Sequence, residues 1–206
     1  MADWPEPLPR QDESDDAAFY SFARIVTHID DAAIEAVTAL YREILAADTR
    51  VVDLMSSWIS HLPADISYAE VVGVGMNAEE LAKNRRLDRY VVHDLNKDPI
   101  LPFDPAYFDA ALICVSVDYL VQPTAVLREL GRIVKPGGGL VITFSNRCFP
   151  TKVAGPWLDL DDGGRLDFVV SRVRAAGNWV DIVTLDRSPL YGDPLFAVVA
   201  RRLHGR

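Results

Sequence analysis

The sequence predicts a doubly wound α/β domain built on a mostly parallel, seven-stranded sheet, and three observations carry that expectation. Short apolar runs rich in β-branched residues recur along the chain, helix-like or polar stretches separate the first five, and only a turn-rich RSPLYGDP segment separates the last two. Apolar strands alternating with helices describe a parallel sheet covered on both sides, because each crossover lays a helix on a face. Two successive strands joined by a short loop pair antiparallel when adjacent, since a parallel pair needs a long crossover. The sheet is therefore expected to end in a C-terminal antiparallel hairpin.

Residues 1–18 are rich in Pro and acidic groups and poor in large apolar ones. They cannot bury enough surface to offset an ordering cost of ~1–2 kcal/mol per residue, and read as a mobile acidic arm. One domain spans 19–206, with 19–48 as an N-terminal lid and first helix. Ile34, Val37, Leu40, Tyr41, Ile44 and Leu45 recur at intervals of three and four, one face of a helix from 30 to about 46. Asp30 or Asp31 is its natural N-cap. Strands are expected at 50–55, 69–76, 89–95, 108–117 and 139–146, then at 179–185 and 195–202. Between them, 123–134 places Val126, Leu127, Leu130, Ile133 and Val134 on one helical face. A last helix at 165–176 ends at Gly177, which suits a left-handed C-cap.

Composition narrows the function. The 206 residues, half of them apolar and a quarter charged, suit one soluble domain. No run approaches the ~18 apolar residues of a membrane span, and the N-terminus is acidic rather than signal-like. A cytoplasmic protein with no membrane partner is expected. A formal net charge of −9, from 30 acidic and 21 basic residues, lacks the footprint of a nucleic-acid binder; Arg85, Arg86 and Arg89 read as a solvated helix end. Cys114 and Cys148 form no C-x-x-C, and His28, His61, His93 and His204 lack metal-ligand spacing, so no metal is expected. The first loop has no glycine, which removes a nicotinamide fingerprint, and no phosphate-binding G-x-x-x-x-G-K-S/T occurs. Ser56, Ser57 and Ser60 lack the G-x-S-x-G of a nucleophile elbow.

In an open parallel sheet, ligands bind beyond the carboxyl ends of the strands, where strand order reverses. The order VVDLM, VVGVGMNAEEL, VVHDLNKDPILPF, FDAALICVSVDYL, a helix, KPGGGLVITFSNR and a terminal hairpin resembles the class I S-adenosylmethionine-dependent methyltransferases over roughly residues 30–204. The resemblance implies a Rossmann-like methyltransferase fold, S-adenosylmethionine as cofactor and S-adenosylhomocysteine as product. It also implies in-line attack on the sulfonium methyl by an acceptor, for which a small molecule is expected. Holding the partners in line supplies ~7–11 kcal/mol of the barrier, so no universal catalytic residue is expected.

Carried over residue by residue, the resemblance puts Asp53 at the acidic end of the first strand. Met55, Ser56 and Ser57 follow in a loop without the family's glycines, the two serines standing in for them. Gly75 occupies the position of the acid that takes the ribose hydroxyls, with Met76 on adenine, and Asn77, Glu80 or a water is left to supply the missing bonds. Asp94 is expected to accept from the adenine amino group, with the Leu95 amide facing a ring nitrogen; by itself Asp94 also reads as a turn initiator. Ser116 falls beside the methionine part, and Asp118 and Tyr119 point toward the acceptor. A lid over 19–30 would bring Tyr20, Arg24 and His28 to the site; alternatively Arg24 pairs with a surface acid and His28 caps a helix. His61, with an ordinary pKa of ~6.5, either orients an acceptor, acts as a base or lends support from behind. His28, His61 and Tyr119 are thus the catalytic candidates. The rival reading is a catalytically silent binding or regulatory module of the same fold, and the protein is expected as a monomer or homodimer.

Overall fold

A computed structural model describes residues 4–204. Seven strands form: β1 (Arg50–Leu54), β2 (Glu70–Gly75), β3 (Arg89–Val92), β4 (Phe108–Cys114), β5 (Val134–Phe144), β6 (Trp179–Asp186) and β7 (Phe196–Arg202). They lie in one sheet in the order β3-β2-β1-β4-β5-β7-β6. The first five are mutually parallel, Val52 of β1 facing Val72 on one side and Ala111 on the other. β7 runs antiparallel to both β5 and β6. The doubly wound sheet and its terminal hairpin are as the sequence predicts. Strand order reverses between β1 and β4, which places the binding crevice there.

Helices cover both faces for the reason their periodicity gives. α2 (Asp31–Ile44) starts where the Asp30 side chain accepts from the Ala33 amide, and it buries Ala33, Val37, Leu40 and Tyr41. These pack with Val51, Val71, Leu112 and Val141 of the sheet. On the other face lie α4 (Pro123–Ile133) and α5 (Asp162–Ala176), whose Leu127, Leu130, Val169 and Val173 join Val52, Val72 and Ile113. Gly177 ends α5 in the left-handed conformation, at φ 81°. The short α1 (Asp16–Phe19) and α3 (Ala78–Lys83) complete the set. Among the described residues no helix is long and apolar enough to cross a membrane.

β3 and β4 each stop three residues earlier than expected, while β5 starts at Val134 rather than 139 and ends at Phe144 rather than 146. β4 ends at Cys114 because Val115 takes φ 43°, outside the β region, and the chain then makes one 3-10 turn over Val117–Tyr119. β3 ends at Val92, and the Asp94 carboxylate folds the following backbone into a turn.

The mobile arm is corrected. Leu8 is buried and its amide donates to the Val121 carbonyl, while Arg10 bridges to Ala154. Arg10 and the wholly buried Lys152 both pair with Asp16, and Lys152 also pairs with Asp12. Low apolar content does not free this segment, because its acids are partnered by Lys152 and Lys97 from elsewhere in the chain and by its own Arg10. Residues 1–3 of that arm lie outside the described residues.

Candidate active site

A cavity of about 650 Å³ opens at the carboxyl ends of the parallel strands. It gathers every site residue marked in the sequence. Asp53, Met55, Ser56 and Ser57 come from the end of β1 and its loop, and Gly75, Met76 and Asn77 from the end of β2. Asp94 and Leu95 follow β3, Ser116 and Tyr119 follow β4, and His28 and His61 come from the lid and the end of the first loop. Asp118 is the exception among the wider expectations: it is buried off the cavity wall, one oxygen without a partner, and burial pushes its carboxyl up to about 8. The 3-10 turn faces Tyr119 to the cavity and Asp118 to the interior.

The loop after β1 manages without glycine. Met55 itself takes the left-handed turn, at φ 53°, and Val115 does the same at the end of neighbouring β4. Such conformations are costly for side-chain-bearing residues and persist where surrounding structure fixes them. Here the fixing is visible. Asp53 Oδ2 accepts from Ser56 Oγ at 2.7 Å and Ser60 Oγ at 2.5 Å, and Asn84 Nδ2 donates to Ser60 Oγ and to the Ser57 carbonyl. Burial raises the Asp53 carboxyl pKa even against those two hydroxyl donors. Asp53 therefore braces the loop, and no helix follows for it to cap.

At the end of β2 the backbone closes on the loop. The Ser56 amide donates to the Val74 carbonyl at 2.9 Å, and a Cβ on Gly75 would overlap the Ser56 carbonyl oxygen. Asn77 is fully engaged: its Oδ1 caps α3 by accepting from the Glu79 and Glu80 amides, and its Nδ2 donates to the Tyr20 carbonyl. Its side chain is thus a strut between α3 and the lid.

Asp94 has two separate jobs for its two oxygens. Oδ1 accepts from the Asn96 and Lys97 amides, the turn that the sequence allowed, whereas Oδ2 is buried without a hydrogen-bond partner, the Lys97 ammonium standing 3.8 Å away. The Ser116 hydroxyl on the same wall is likewise buried and unpartnered. Buried polar atoms are normally hydrogen-bonded, so an orphan acceptor and an orphan hydroxyl in one cavity mark places for a ligand's polar atoms.

The lid is fastened at several points. The Trp58 indole donates to the Val26 carbonyl at 2.9 Å, and the Arg24 amide donates to Glu80 Oε1 at 2.6 Å. The Arg24 guanidinium donates to the Phe19 carbonyl and lies over the Phe19 ring, rather than pairing with a surface acid. His28 caps no helix; its ring meets Phe149 edge-on at 5.4 Å. Tyr119 accepts the Phe149 amide on its hydroxyl at 2.8 Å, and burial pushes its phenol well above the usual range. His61 has a buried, unpartnered Nδ1, and burial, followed by the nearness of His28, lowers its pKa. Both effects favour the neutral imidazole, and its Nδ1 is free of protein hydrogen-bond partners.

Sequence reasoning missed Asp16, Tyr41 and Cys114, which also line the cavity with Asn96. Asn96 joins Asp16 Oδ2, the Tyr119 carbonyl and the Val121 amide. Nothing local marks Asp16 as a cavity residue, because Asn96 and Lys152, the partners that hold it there with Arg10, lie 80 or more residues away. Tyr41 was legible only as a core position of α2. The arginine cluster is structural: Arg86 donates to the carbonyls of Pro63 and Ile66, and Arg89 pairs with Glu70.

Comparison with known proteins now bears on this geometry. The structure is similar to the [4+2]-cyclase SpnF, with a TM-score of 0.60 and 19% identity over 82% of this chain and 80% of that one. It is also similar to phosphoethanolamine N-methyltransferase 2 of Haemonchus contortus bound to S-adenosyl-L-methionine, with a TM-score of 0.60 and 13% identity over 82% of this chain and 52% of that one. At those identities the likeness is one of fold. Residues 55–142, from the first loop into β5, match the sequence model of the methyltransferase domain family. That match covers less than half of the chain, and with the structural likeness it gives a methyltransferase-domain stretch on a fold shared with S-adenosylmethionine-dependent methyltransferases. The chain is 39% identical to a demethylmenaquinone methyltransferase of Mycolicibacterium gilvum over 113 residues, 52% of its length and 44% of that protein. Its matches span between 32% and 44% of the length of the curated relatives.

Proposed function

We propose that the protein transfers the methyl group of S-adenosylmethionine to a small-molecule acceptor. The observation that carries this is Asp94 Oδ2, which has no hydrogen-bond partner and is buried on the wall of a cavity at the carboxyl edge of a methyltransferase-fold sheet. An adenine amino group is a donor of the kind that oxygen lacks. The cavity volume falls within the ~300–1,000 Å³ of small-molecule sites, and the relative named for demethylmenaquinone is itself named for a small-molecule substrate.

When bound, the cofactor supplies a methyl group made electrophilic by its sulfonium. The chain's own residues do the rest by placement. Asp94 Oδ2 would accept from the adenine amino group and the Leu95 amide would serve the ring, while Met55 and Ser116, at the ends of β1 and β4, would hold the methionine part. The lid, fastened through Trp58 and Glu80, excludes water and holds His28 beside Phe149. His61, whose burial favours the neutral imidazole, would take a proton from an acceptor that carries one.

The glycine-less first loop favours the second reading, a silent binding module. Isothermal titration separates the two, with S-adenosylmethionine and S-adenosylhomocysteine titrated into wild type and Asp94→Ala. Wild-type binding that weakens in the variant by roughly 1.5–3 kcal/mol, as for a hydrogen bond to a charged group, supports the cofactor site. Mass-spectrometric detection of a methylated small molecule then supports transfer. No binding to folded wild type sinks the proposal, and binding with no transfer to any small acceptor favours the silent module.

A further inference from the structure

We propose that Glu80, reaching into the cavity from α3, is the carboxylate that receives the vicinal ribose hydroxyls of the cofactor; this rests on the cofactor reading above. Two hydroxyls side by side are two donors at fixed spacing, and a carboxylate is the side chain that accepts both at once.

Four carboxylates line the cavity among the described residues: Asp16, Asp53, Glu80 and Asp94. Their existing bonds decide which is available. Asp16 is filled, its oxygens taking Arg10, Lys152 and Asn96. Asp53 is buried at the floor, and the Ser56 and Ser60 hydroxyls both fall on one of its oxygens. Asp94 has Oδ1 occupied by two backbone amides, which leaves a single acceptor rather than a pair. Glu80 differs from all three. Its Oε1 accepts one bond, from the Arg24 amide at 2.6 Å, and its Oε2 accepts one, from Ser57 Oγ at 2.8 Å. A carboxylate has about four lone-pair sites, so one remains on each oxygen. Glu80 is the wall carboxylate with one open acceptor site on each of its two oxygens.

Position agrees with availability. β2 lies between β3, which leads to Asp94, and β1, which leads to the serine loop. A nucleoside whose base meets Asp94 and whose 5′ substituent runs toward β1 carries its ribose across the end of β2. There Gly75 leaves the backbone uncovered and cannot be replaced by an acid without striking the Ser56 carbonyl. The Asn77 amide is committed to the α3 cap and the lid. Glu80, three residues further on, is the remaining anionic group on that side. Its two present bonds hold it from the lid and from the first loop, so the carboxylate is oriented before any ligand arrives.

The test compares two ligands across variants, because Glu80 also holds the lid and a simple loss of affinity is ambiguous. S-adenosylhomocysteine and its 2′,3′-dideoxy analogue are titrated into wild type, Glu80→Ala and Ser57→Ala. Wild type should prefer the hydroxylated ligand by at least ~10-fold, the scale of hydrogen bonds to a charged group. In Glu80→Ala that preference should collapse toward one, whatever affinity both ligands lose in common with the lid's anchor. Ser57→Ala removes one brace but not the carboxylate and should keep the preference. Should the alanine variant not fold, Glu80→Gln retains the volume with one acceptor oxygen and should lose most of the preference. A preference that persists without the Glu80 carboxylate overturns this assignment alone, whereas folded wild type that binds neither ligand overturns the cofactor reading and this proposal with it.

Discussion

The ammonium of Lys152 lies 3.2 Å from an Asp16 carboxylate oxygen, joining the loop after β5 to a helix of four residues near the N-terminus. Lys152 is wholly buried and Asp16 nearly so. Removing one member of a buried pair strands the other, at a cost of ~3–5 kcal/mol. Arg10 remains on Asp16, so Lys152→Met is expected toward the lower end of that range. Urea unfolding measures it, and limited proteolysis should show residues 4–18 cut faster.

Acid should loosen the same segment. Burial raises the Asp16 pKa, but the bonds from Asn96 and Arg10 and the charge of Arg10 outweigh it, and the net displacement is downward. A depressed carboxyl contributes stability that is present above its unfolded value, ~3.9 for aspartate, and lost as pH falls through the folded value. Proteolysis of the segment should therefore accelerate below about pH 4 in wild type. An Asp16→Asn variant should be cut rapidly already at pH 7; equal protection of the two proteins at neutrality would refute the role given to this carboxylate.

Gly75→Asp should not install a working acid at the end of β2. The new Cβ meets the Ser56 carbonyl oxygen, a backbone atom tied down by the Ser56 amide bond to Val74. Overpacking of this kind costs ~1–3 kcal/mol. A thermal midpoint equal to that of wild type would show that the first loop can yield.

Asp118 should make the fold less stable as pH rises. Its carboxyl is pushed up to about 8 by burial, so the folded state favours the protonated form. Stability is fullest below the unfolded value and is lost through the folded one, at ~1.4 kcal/mol per unit of displacement. Between about pH 4 and 8, Asp118→Asn should flatten the decline seen in urea melts of the wild type. Parallel slopes in the two proteins would contradict it.

His61 should titrate below ~6.5, the ordinary histidine value, because burial and then its neighbour His28 disfavour the charged form. Proton NMR of the ring across pH 5 to 8 reads this directly. In His28→Ala the midpoint should move up; a midpoint that stays put would separate the two rings.

How much was legible follows from the range of each interaction. Asp94 was readable both as a turn residue and as a ligand acceptor, since its turn bonds reach only two and three residues ahead. The serine loop was readable as a replacement for glycine but not as a brace, because Asn84, which locks Ser60, stands 24 residues away. Asp118 and Tyr119 look equivalent in the chain, and a single 3-10 turn sends one inward and the other to the cavity.

The sequence by itself determined the class, the seven strands, the helix faces and the strand ends where the cavity opens. Those follow from apolar periodicity and crossover length, which are local quantities. Tertiary structure alone decided that the acidic N-terminal segment packs through Lys152, that Gly75 is closed to a side chain, and that Glu80 keeps acceptor sites on both oxygens. These depend on which distant groups meet, and hydrogen-bond occupancy is settled only when the partners have been brought together.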